Sequence, residues 1–312
     1  MPLAQIAAAA PTLDQKRSTQ YRQLPSFNLL NRCSSPRMPF QWTINPYRGC
    51  EFGCKYCYAR YTHEFMELRN PTDFETKIFA KTWNPAEFRA QIRRTNPIDL
   101  IAIGTATDPY QPAERRYRIT RSILEVFAGF SGRRLGITTK SDLIARDLDL
   151  LTRISAANSL HVNITVTTMD PALARLIEPR APRPDLRIET VRALSRAGIQ
   201  TGVFCAPLLP MITDREAQIE AVARAAAEAG AKWLMGNPAF LTATPLAVML
   251  AFLKERFPHL EPKYRQRYQD SAYLRGPYAD KIKARFRRLR SKCGLDRQEV
   301  VHLPDEPQLS LF

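Results

Sequence analysis

The chain has 312 residues, and its composition of 45% hydrophobic and 24% charged residues is typical of a globular protein with a sizeable core. The longest apolar run, residues 241–253, contains Thr and Pro and falls short of the roughly 18 residues that a membrane-spanning helix needs. This excludes an integral membrane protein. Residues 1–11 are Ala-rich but place no positive charge before an apolar stretch, so we expect no secretory signal and a cytoplasmic protein.

The formal net charge of +16 is unevenly distributed. Residues 261–293 contain 11 Lys or Arg against 3 Asp or Glu, so half of the excess lies in a short part of the chain. Each phosphate that a cation neutralises releases bound counterions, and a concentrated basic region therefore favours a polyanion. Since nothing resembles a lipid anchor, nucleic acid is preferred over an acidic membrane surface as the partner.

Residues 1–38 show no sustained period and predict a loose N-terminal extension. From residue 42 onward, short β-prone runs alternate with segments of helical period. The predicted strands are 42–46, 77–80, 100–104, 135–138, 161–167, 203–206 and 232–236. The predicted helices between them are 58–68, 85–94, 117–127, 143–154, 186–197 and 215–229.

This alternation implies a parallel sheet of right-handed βαβ units, either an open doubly wound sheet or a complete or partial βα barrel. Polar residues follow two predicted strands at 104–108 and 138–142, which favours a barrel with a site at the carboxyl ends of its strands. We therefore predict an α/β barrel over residues 39–240, a basic helical region over 241–300 and a tail over 301–312.

The C-terminal region combines aromatic and basic residues. Four tyrosines precede or open a helix predicted over 280–292, namely Tyr264, Tyr268, Tyr273 and Tyr278. Within the helix, Ile282, Phe286 and Leu289 have helical spacing and basic residues surround the remaining face. Because bases stack on rings while cations hold phosphates, a nucleic-acid interface is predicted, with a solvated surface helix as the alternative. Its candidate contacts are Lys283, Arg287, Arg288 and Arg290.

Three of the six cysteines, Cys50, Cys54 and Cys57, form a C-x3-C-x2-C motif between the first predicted strand and the first helix. Such a cluster in a reducing compartment indicates metal binding rather than disulfides. A structural zinc site would need a fourth ligand, such as His63 or Cys33. Three thiolates on one short loop instead suit a [4Fe–4S] cluster with one iron left open for a non-protein ligand.

The motif Cys50-x3-Cys54-x-Tyr56-Cys57 resembles the cluster loop of the radical S-adenosylmethionine (SAM) superfamily. The resemblance implies a partial (β/α)6 barrel of the TIM-like type, here with a basic helical C-terminal extension. It also implies that the open iron binds SAM and that the cluster, once reduced by an electron donor, cleaves SAM to a 5′-deoxyadenosyl radical. The cofactor then supplies the radical chemistry, and the protein supplies position and redox tuning.

A narrower resemblance is to the spore photoproduct lyase and DNA-repair-photolyase-related branch. It rests on Tyr56 and Tyr58 around Cys57, on residues 104–112 and on residues 138–141. The resemblance implies that SAM is contacted by Thr107, Asp108, Lys140 and Asn163, and that Tyr56 and Tyr58 relay a hydrogen atom to the product radical. The alternatives are that Asp108 caps a helix and that Asn163 satisfies backbone groups.

One position departs from the pattern of that branch. Where the spore enzyme carries a cysteine hydrogen donor two residues before a Ser-Asp pair, this chain has Thr105 before Thr107 and Asp108. A threonine O–H bond is too strong to donate a hydrogen atom readily, so repair of the same lesion would need a different hydrogen donor. Cys205, at the end of a later predicted strand, is an alternative donor, although a buried core thiol is the preferred interpretation.

The tail contains Gln308-Leu309-Ser310-Leu311-Phe312 after a turn-forming segment, 304–307. Exposed apolar side chains indicate a pocket that receives them, either on a partner or on the protein's own core. The pentapeptide is similar to the sliding-clamp-binding motif of bacterial replication and repair proteins. That similarity implies a clamp partner contacted by Gln308, Leu309, Leu311 and Phe312.

The sequence therefore predicts a radical SAM enzyme that acts on DNA, in lesion repair of the lyase type. Two alternatives remain open. One is radical modification of RNA or protein, and the other is a non-catalytic Fe–S or zinc module that binds nucleic acid. Binding of SAM separates the last alternative from the enzymes, and binding of the clamp favours DNA over RNA or protein.

Overall fold

The computed structural model describes residues 2–16 and 19–296 of the chain. The strands are β1 (Thr12–Lys16), β2 (Thr19–Pro25), β3 (Leu30–Arg32), β4 (Trp42–Ile44), β5 (Tyr47–Arg48), β6 (Lys77–Thr82), β7 (Leu100–Ile103), β8 (Arg134–Thr139), β9 (Ser159–Thr165), β10 (Gln200–Phe204) and β11 (Leu234–Met235). The α-helices are α1 (Leu3–Ala9), α2 (Asp73–Thr76), α3 (Pro85–Arg93), α4 (Glu114–Tyr117), α5 (Ile119–Phe127), α6 (Leu148–Ala157), α7 (Pro171–Ile177), α8 (Pro184–Arg196), α9 (Glu216–Glu228), α10 (Ala243–Arg256), α11 (Glu261–Arg267) and α12 (Pro277–Cys293). The 3₁₀ helices span Tyr58–Met66, Asp142–Asp147 and Pro258–Leu260.

The main sheet contains parallel strands in the order β4, β7, β8, β9, β10, β11, with β3 antiparallel to the outer edge of β4. Strands of the parallel set that follow each other along the chain are neighbours in the sheet, and helices connect them. The order begins at β3 and ends at β11, so the sheet is open, as in a partial barrel. The prediction of an α/β fold with a parallel sheet of βα units is confirmed.

The two faces of the main sheet carry different side chains. Ile137 and Val203 are fully buried in the core that the sheet shares with the helices. Side chains alternate along a strand, so Asn163 and Gly202, which adjoin buried Val and Ile residues, occupy the inner face. A Cβ atom at Gly202 would lie 2.0 Å from the indole of Trp233, which fills that part of the inner face.

The structure differs from two sequence predictions in its second sheet, whose order is β1, β2, β6, β5. The segment 77–80 was expected to be a strand of the barrel, but as β6 it belongs to this smaller sheet. Residues 1–38 were expected to be loose, but they contain α1, β1 and β2, and they supply β3 to the main sheet.

The reason is that β6 is apolar on both faces. Ile78 and Ala80 lie in the main core, while Phe79 packs with Leu24 of β2 and Ala7 of α1. The N-terminal segment covers Phe79 and is held there by a parallel pairing of β2 with β6. The two strands lie far apart along the chain, and a local pattern cannot reveal their pairing.

Helix α12 confirms the predicted basic helix. Ile282, Phe286 and Leu289 are its buried residues, and the helix packs against α9 and β11. Of the four tyrosines expected at a binding groove, Tyr264 and Tyr268 are instead buried, because their rings pack in a hydrophobic cluster where each hydroxyl can donate to a backbone carbonyl. Among residues 2–16 and 19–296, every helix is too short or too polar to span a lipid bilayer.

The tail over 301–312 lies outside the described residues. The clamp-like motif with Gln308, Leu309, Leu311 and Phe312 falls within it and stays a prediction.

Candidate active site at the carboxyl ends of the barrel strands

The cysteine loop, residues 49–57, is held by backbone contacts on both of its sides. The Cys50 N–H donates to the carbonyl of Phe74 at 2.9 Å, and the Lys55 N–H donates to the carbonyl of Ile177 at 2.9 Å. Gly49 has a φ of +81°, and a Cβ atom there would lie 2.8 Å from the Phe74 carbonyl oxygen, so glycine is required. The path of the loop is therefore imposed by segments distant in sequence.

A buried polar network lies beneath the cysteine loop. Gln111 donates from Nε2 to the carbonyl of Gly49 at 3.0 Å and to the hydroxyl of Thr107 at 2.9 Å, and its Oε1 accepts from the Glu51 N–H at 3.0 Å. The Thr107 hydroxyl donates to the same Gly49 carbonyl at 2.6 Å. Thr107, which the sequence predicts to contact SAM, is thus placed where its hydroxyl supports the loop.

Asp108 joins the loops that follow β7 and β8. Its Oδ1 accepts from the Thr139 hydroxyl at 2.6 Å and from the Tyr110 N–H at 2.9 Å, and its Oδ2 accepts from the Lys140 N–H at 2.8 Å. Burial raises the pKa of Asp108, although these hydrogen bonds act in the opposite direction. Instead of capping a helix, the carboxylate fixes the backbone from which the Lys140 side chain extends.

The three thiols lie in a poorly solvated environment. Cys50 and Cys54 are buried and Cys57 is partly buried, and burial raises the pKa of each thiol, that of Cys54 to about 12. Lys140 acts against this shift at Cys54. Burial lowers the pKa of Lys140, but the negative charges that Cys54 as a thiolate and Glu178 as a carboxylate carry act the other way and raise it overall. Thiols in this setting become thiolates when a metal binds them.

Tyr56 belongs to a buried charged network. Its hydroxyl donates to Glu178, which also accepts from the Thr167 hydroxyl at 3.0 Å and pairs with Arg187 at 2.5 Å. Burial alone would raise the pKa of Glu178, but Arg187 and Lys140 hold it below its ordinary value. The Lys140 ammonium lies 5.8 Å from the centroid of the Tyr56 ring. The Tyr56 hydroxyl is therefore committed to a carboxylate inside the protein.

Asn163 lies on the inner face of the main sheet, paired in register with Thr138 of β8 and Gly202 of β10. Its Oδ1 accepts a hydrogen bond from the Trp233 indole N–H at 2.9 Å. The alternative to SAM binding was that Asn163 satisfies backbone groups. Its partner in the structure is instead the side chain of Trp233. Asn163 orients the indole that covers the inner face.

Tyr58 and Tyr56 have different surroundings. Tyr58 is 41% exposed at the start of the 3₁₀ helix Tyr58–Met66, and its hydroxyl donates to the carbonyl of Thr105. The Thr105 hydroxyl is engaged with the side chain of Asn45 at 3.1 Å. Cys205 is fully buried in the hydrophobic core, and burial raises its pKa to about 12, as the core-thiol interpretation predicts.

The two residues considered as a fourth zinc ligand are not placed for that role. The His63 Nε2 contacts the carbonyl of Lys77 at 3.0 Å. Cys33 lies at the amino end of β4, where its backbone N–H donates to the carbonyl of Gln41, whereas the cysteine loop follows the carboxyl end of that strand. Within residues 2–16 and 19–296, no three Cys, His, Asp or Glu side chains converge as a single-ion site requires. Zinc thiolates must meet at one ion, at about 2.3 Å each. Ligands of a [4Fe–4S] cluster bind separate irons and need not converge.

The candidate phosphate contacts on α12 divide into paired and unpaired cations. Arg288 forms an ion pair with Glu216 of α9, and Arg290 lies 3.7 Å from Asp296. Lys283 is exposed and 3.8 Å from Asp280, whereas Arg287 has no ion pair within the described part of the chain. The basic face is therefore partly neutralised by neighbouring acids.

Sequence reasoning missed three residues of this site: Gln111, Glu178 and Arg187. Gln111 lies in the segment 104–112 that had been singled out, but no local feature separates it from its neighbours. Glu178 follows α7 and Arg187 lies within α8, and only tertiary packing joins them under Tyr56.

The chain belongs to the radical SAM superfamily, whose family model matches residues 44–225, from the end of β4 into α9. The [4Fe–4S] cluster and SAM are the cofactors of this superfamily and of this chain. An uncharacterized protein of Mycobacterium tuberculosis is 34% identical over 259 residues, which cover 83% of this chain and 76% of that relative. An uncharacterized protein of Methanocaldococcus jannaschii is 31% identical over 176 residues, covering 56% and 63%.

The fold is similar to that of spore photoproduct lyase. A mutant of that enzyme with bound AdoMet and dinucleoside spore photoproduct superposes with a TM-score of 0.64 at 15% identity, covering 86% of this chain and 79% of that one. A second mutant gives a TM-score of 0.62 at 17% identity, with 87% and 80% covered. At this identity the likeness establishes the fold alone.

Proposed function

We propose that this radical SAM enzyme acts on DNA, as a lyase-type repair enzyme related in chemistry to spore photoproduct lyase. The cysteine loop, with three thiols and the charged Lys140 near Cys54, carries the radical SAM part of this proposal, and the fold similarity together with the basic charge carries the DNA part. The fold similarity extends beyond the barrel, since the superposition covers most of both chains. The neighbouring structure contains a dinucleoside spore photoproduct, and the net charge of +16 suits a nucleic-acid substrate.

In this proposal Cys50, Cys54 and Cys57 hold the cluster, and the donor set fits it. The thiols lie on one loop, a cation adjoins Cys54, and the loop backbone is fixed from below by Gln111. When bound and reduced, the cluster with SAM supplies a 5′-deoxyadenosyl radical that abstracts a hydrogen atom from the substrate. The polypeptide excludes water from the thiols and keeps the loop rigid.

Of the predicted SAM contacts, Asp108 and Lys140 lie closest to this role. Asp108 fixes the backbone of Lys140 at the loop after β8, and the ammonium of Lys140 is near Cys54. Thr107 and Asn163 have their oxygen atoms engaged by protein partners. We propose that they position the loop and the inner face, and that any contact they make with SAM uses their remaining hydrogen-bonding capacity.

We propose Tyr58 as the residue that returns a hydrogen atom to the product radical, with Tyr56 beneath it in the relay. Tyr58 is exposed at the mouth of the barrel, while the Tyr56 hydroxyl is held by the buried Glu178. Thr105 and Cys205 are poor donors, because the former has a strong O–H bond and the latter lies in the hydrophobic core. Tyr58→Phe should still form 5′-deoxyadenosine but release less repaired product per SAM cleaved.

The test is anaerobic reconstitution followed by measurement of 5′-deoxyadenosine with ultraviolet-irradiated DNA, undamaged DNA, RNA or no nucleic acid. We expect irradiated DNA to stimulate SAM cleavage most. Equal rates of SAM cleavage under the four conditions would contradict a DNA substrate and favour a protein substrate. Stimulation by RNA alone would reassign the enzyme to RNA modification. Failure to form 5′-deoxyadenosine under any condition would contradict the enzymatic assignment.

We further propose that a sliding clamp recruits the enzyme through Gln308, Leu309, Leu311 and Phe312. A few anchored side chains would give weak affinity, on the order of micromolar, which the basic surface would reinforce on the DNA that the clamp encircles. Deletion of 308–312 should abolish clamp association and spare SAM cleavage. Loss of thermal stability on deletion would instead indicate that the segment packs on the core.

A further inference from the structure

Three aromatic rings form a row at the mouth of the barrel, and we call Tyr58, Phe240 and Tyr273 the aromatic rim. The ring centroids of Tyr58 and Phe240 are 6.5 Å apart, and those of Phe240 and Tyr273 are 4.3 Å apart. Tyr58 is 41% exposed and Tyr273 is 39% exposed. Exposed aromatic surface that is continuous in this way marks a site of interaction.

The aromatic rim is assembled from segments that are distant in sequence. Tyr58 begins the 3₁₀ helix after the cysteine loop, Phe240 follows β11, and Tyr273 lies between α11 and α12. The Leu241 N–H donates to the carbonyl of Ala272 at 3.1 Å, which ties the second segment to the third. The rings are therefore held in place before any ligand arrives, and the entropic cost of ordering them on binding is small.

A cation completes the row. The guanidinium carbon of Arg37 lies 5.5 Å from the centroid of the Tyr273 ring. No carboxylate in residues 2–16 or 19–296 pairs with Arg37, so its charge remains available to an anion. Tyr273 itself lies in the region 261–293, where basic residues outnumber acidic ones by 11 to 3.

We propose that the aromatic rim stacks an unpaired base of the DNA substrate while Arg37 holds an adjoining phosphate. The proposal rests on the proposed function and adds to it how the nucleic acid is held. A base must leave the duplex stack to reach a barrel mouth, and aromatic side chains receive such bases regardless of sequence. An aromatic side chain of a peptide would also fit the rings, but it would leave the guanidinium without an anion.

The experiment compares two single-stranded oligonucleotides of equal length, one of thymidines and one whose central residues are abasic, by fluorescence anisotropy with the reconstituted full-length protein. Tyr273→Leu and Phe240→Leu keep apolar volume but remove the rings. Each should weaken binding of the thymidine strand by about tenfold while leaving the abasic strand and the salt dependence unchanged. Arg37→Ala should instead flatten the salt dependence by a slope of about one.

Phe27→Leu is the matched control, because Phe27 is a highly exposed aromatic residue outside the aromatic rim. If the wild type binds both strands equally, or if Phe27→Leu loses as much affinity as Tyr273→Leu, the proposal is overturned and the rim is left to a peptide. Thermal unfolding identifies any variant that fails to fold. If Phe240→Leu does not fold, the result for Tyr273→Leu decides, because Tyr273 lies at a partly exposed loop position and its substitution should leave the fold intact.

Failure of the proposed function is distinguished by the wild type alone. DNA that leaves 5′-deoxyadenosine formation unchanged contradicts the DNA substrate, whatever the rim variants do. If DNA stimulates SAM cleavage but both ring variants bind the thymidine strand like the wild type, the DNA substrate stands and only the role of the aromatic rim in stacking a base is contradicted.

Discussion

The cysteine loop and helix α12 carry the two strongest signals of the sequence, but their polar groups find partners in different ways. In the loop, backbone and side chains bond to buried residues such as Gln111, whose side chain is fully enclosed. On α12, the cations pair with acids at or near the surface, among them acids of α9, or remain in solvent. Buried hydrogen bonds are costly to break, whereas exposed ion pairs contribute little.

This difference shows how each region can change. The loop is fixed by contacts on several sides, so a single substitution there removes a function or destabilises the fold. The charges on α12 are adjustable, because gaining or losing one exposed cation leaves the packing of Ile282, Phe286 and Leu289 unchanged. Four predictions test this contrast, beginning with the cysteine loop.

Cys57→Ala should abolish SAM cleavage, since the cluster would lose one of its three proposed ligands. Cys57 is only partly buried at the start of a 3₁₀ helix, so the barrel should stay folded. The measurements are iron and sulfide content and 5′-deoxyadenosine after anaerobic reconstitution. Cys33→Ala is the matched control, because Cys33 lies at the amino end of β4, and it should retain both. A Cys57→Ala protein with full activity would contradict the ligand assignment.

Glu178→Gln should destabilise the fold by about 3–5 kcal/mol, because it leaves Arg187 charged and buried without its partner. Urea unfolding of the reconstituted protein measures the effect. Asp185→Asn breaks a comparable ion pair to Arg183 at an exposed position and should change little. A loss no larger than that of the control would mean that Arg187 is satisfied by the carbonyls of Pro182 and Thr165 alone.

The same contrast explains what the sequence could predict. Cys50, Cys54 and Cys57 share one local motif, and βα alternation repeats along the chain, so the family and the parallel sheet were predictable. The pairing of β2 with β6 and the contact of Glu178 with Tyr56 join segments far apart in sequence. No local period encodes such contacts. Tyr264 and Tyr268 were expected at a binding groove but are buried, because composition does not distinguish an aromatic ring of the core from one on the surface.

His63, which packs against Phe74 next to the cysteine loop, predicts a pH dependence of the free energy of unfolding. It is buried against Phe74 and Phe79, and burial lowers its pKa from 6.5 to about 4. Between these values the unfolded chain binds the proton and the folded one does not, so stability should rise with pH from about 4 to 6.5. The loss on acidification is up to about 3 kcal/mol.

Unfolding of His63→Gln between pH 4.5 and 7 should show a smaller slope than the wild type, since the amide can still donate to the Lys77 carbonyl and does not titrate. His259→Gln, at an exposed position, should follow the wild type. Parallel curves for all three proteins would assign the acid sensitivity to other groups.

The smallest effect is expected on α12, where neighbouring acids limit the charge offered to DNA. Glu216 of α9 pairs with Arg288 and lies 3.8 Å from Arg285. Glu216→Gln should free both cations and steepen the salt dependence of DNA binding by a slope of roughly one to two, whereas Arg287→Ala should flatten it by about one. Neither change touches the buried face of the helix, so unfolding should be unaffected.

Glu189→Gln on α8 is the matched control, because it releases Arg192 at a site outside the pair of α9 and α12. If the Glu216 and Arg287 substitutions change the salt dependence but the Glu189 substitution does not, then α12 contacts phosphates, and Glu216 of α9 limits how many phosphates its cations neutralise. Equal responses at Glu216 and Glu189 would reflect net charge alone, because any lost carboxylate reduces repulsion from DNA. No response at Arg287 would make α12 a solvated surface helix, and the aromatic rim with Arg37 would then be the remaining candidate surface for the nucleic acid.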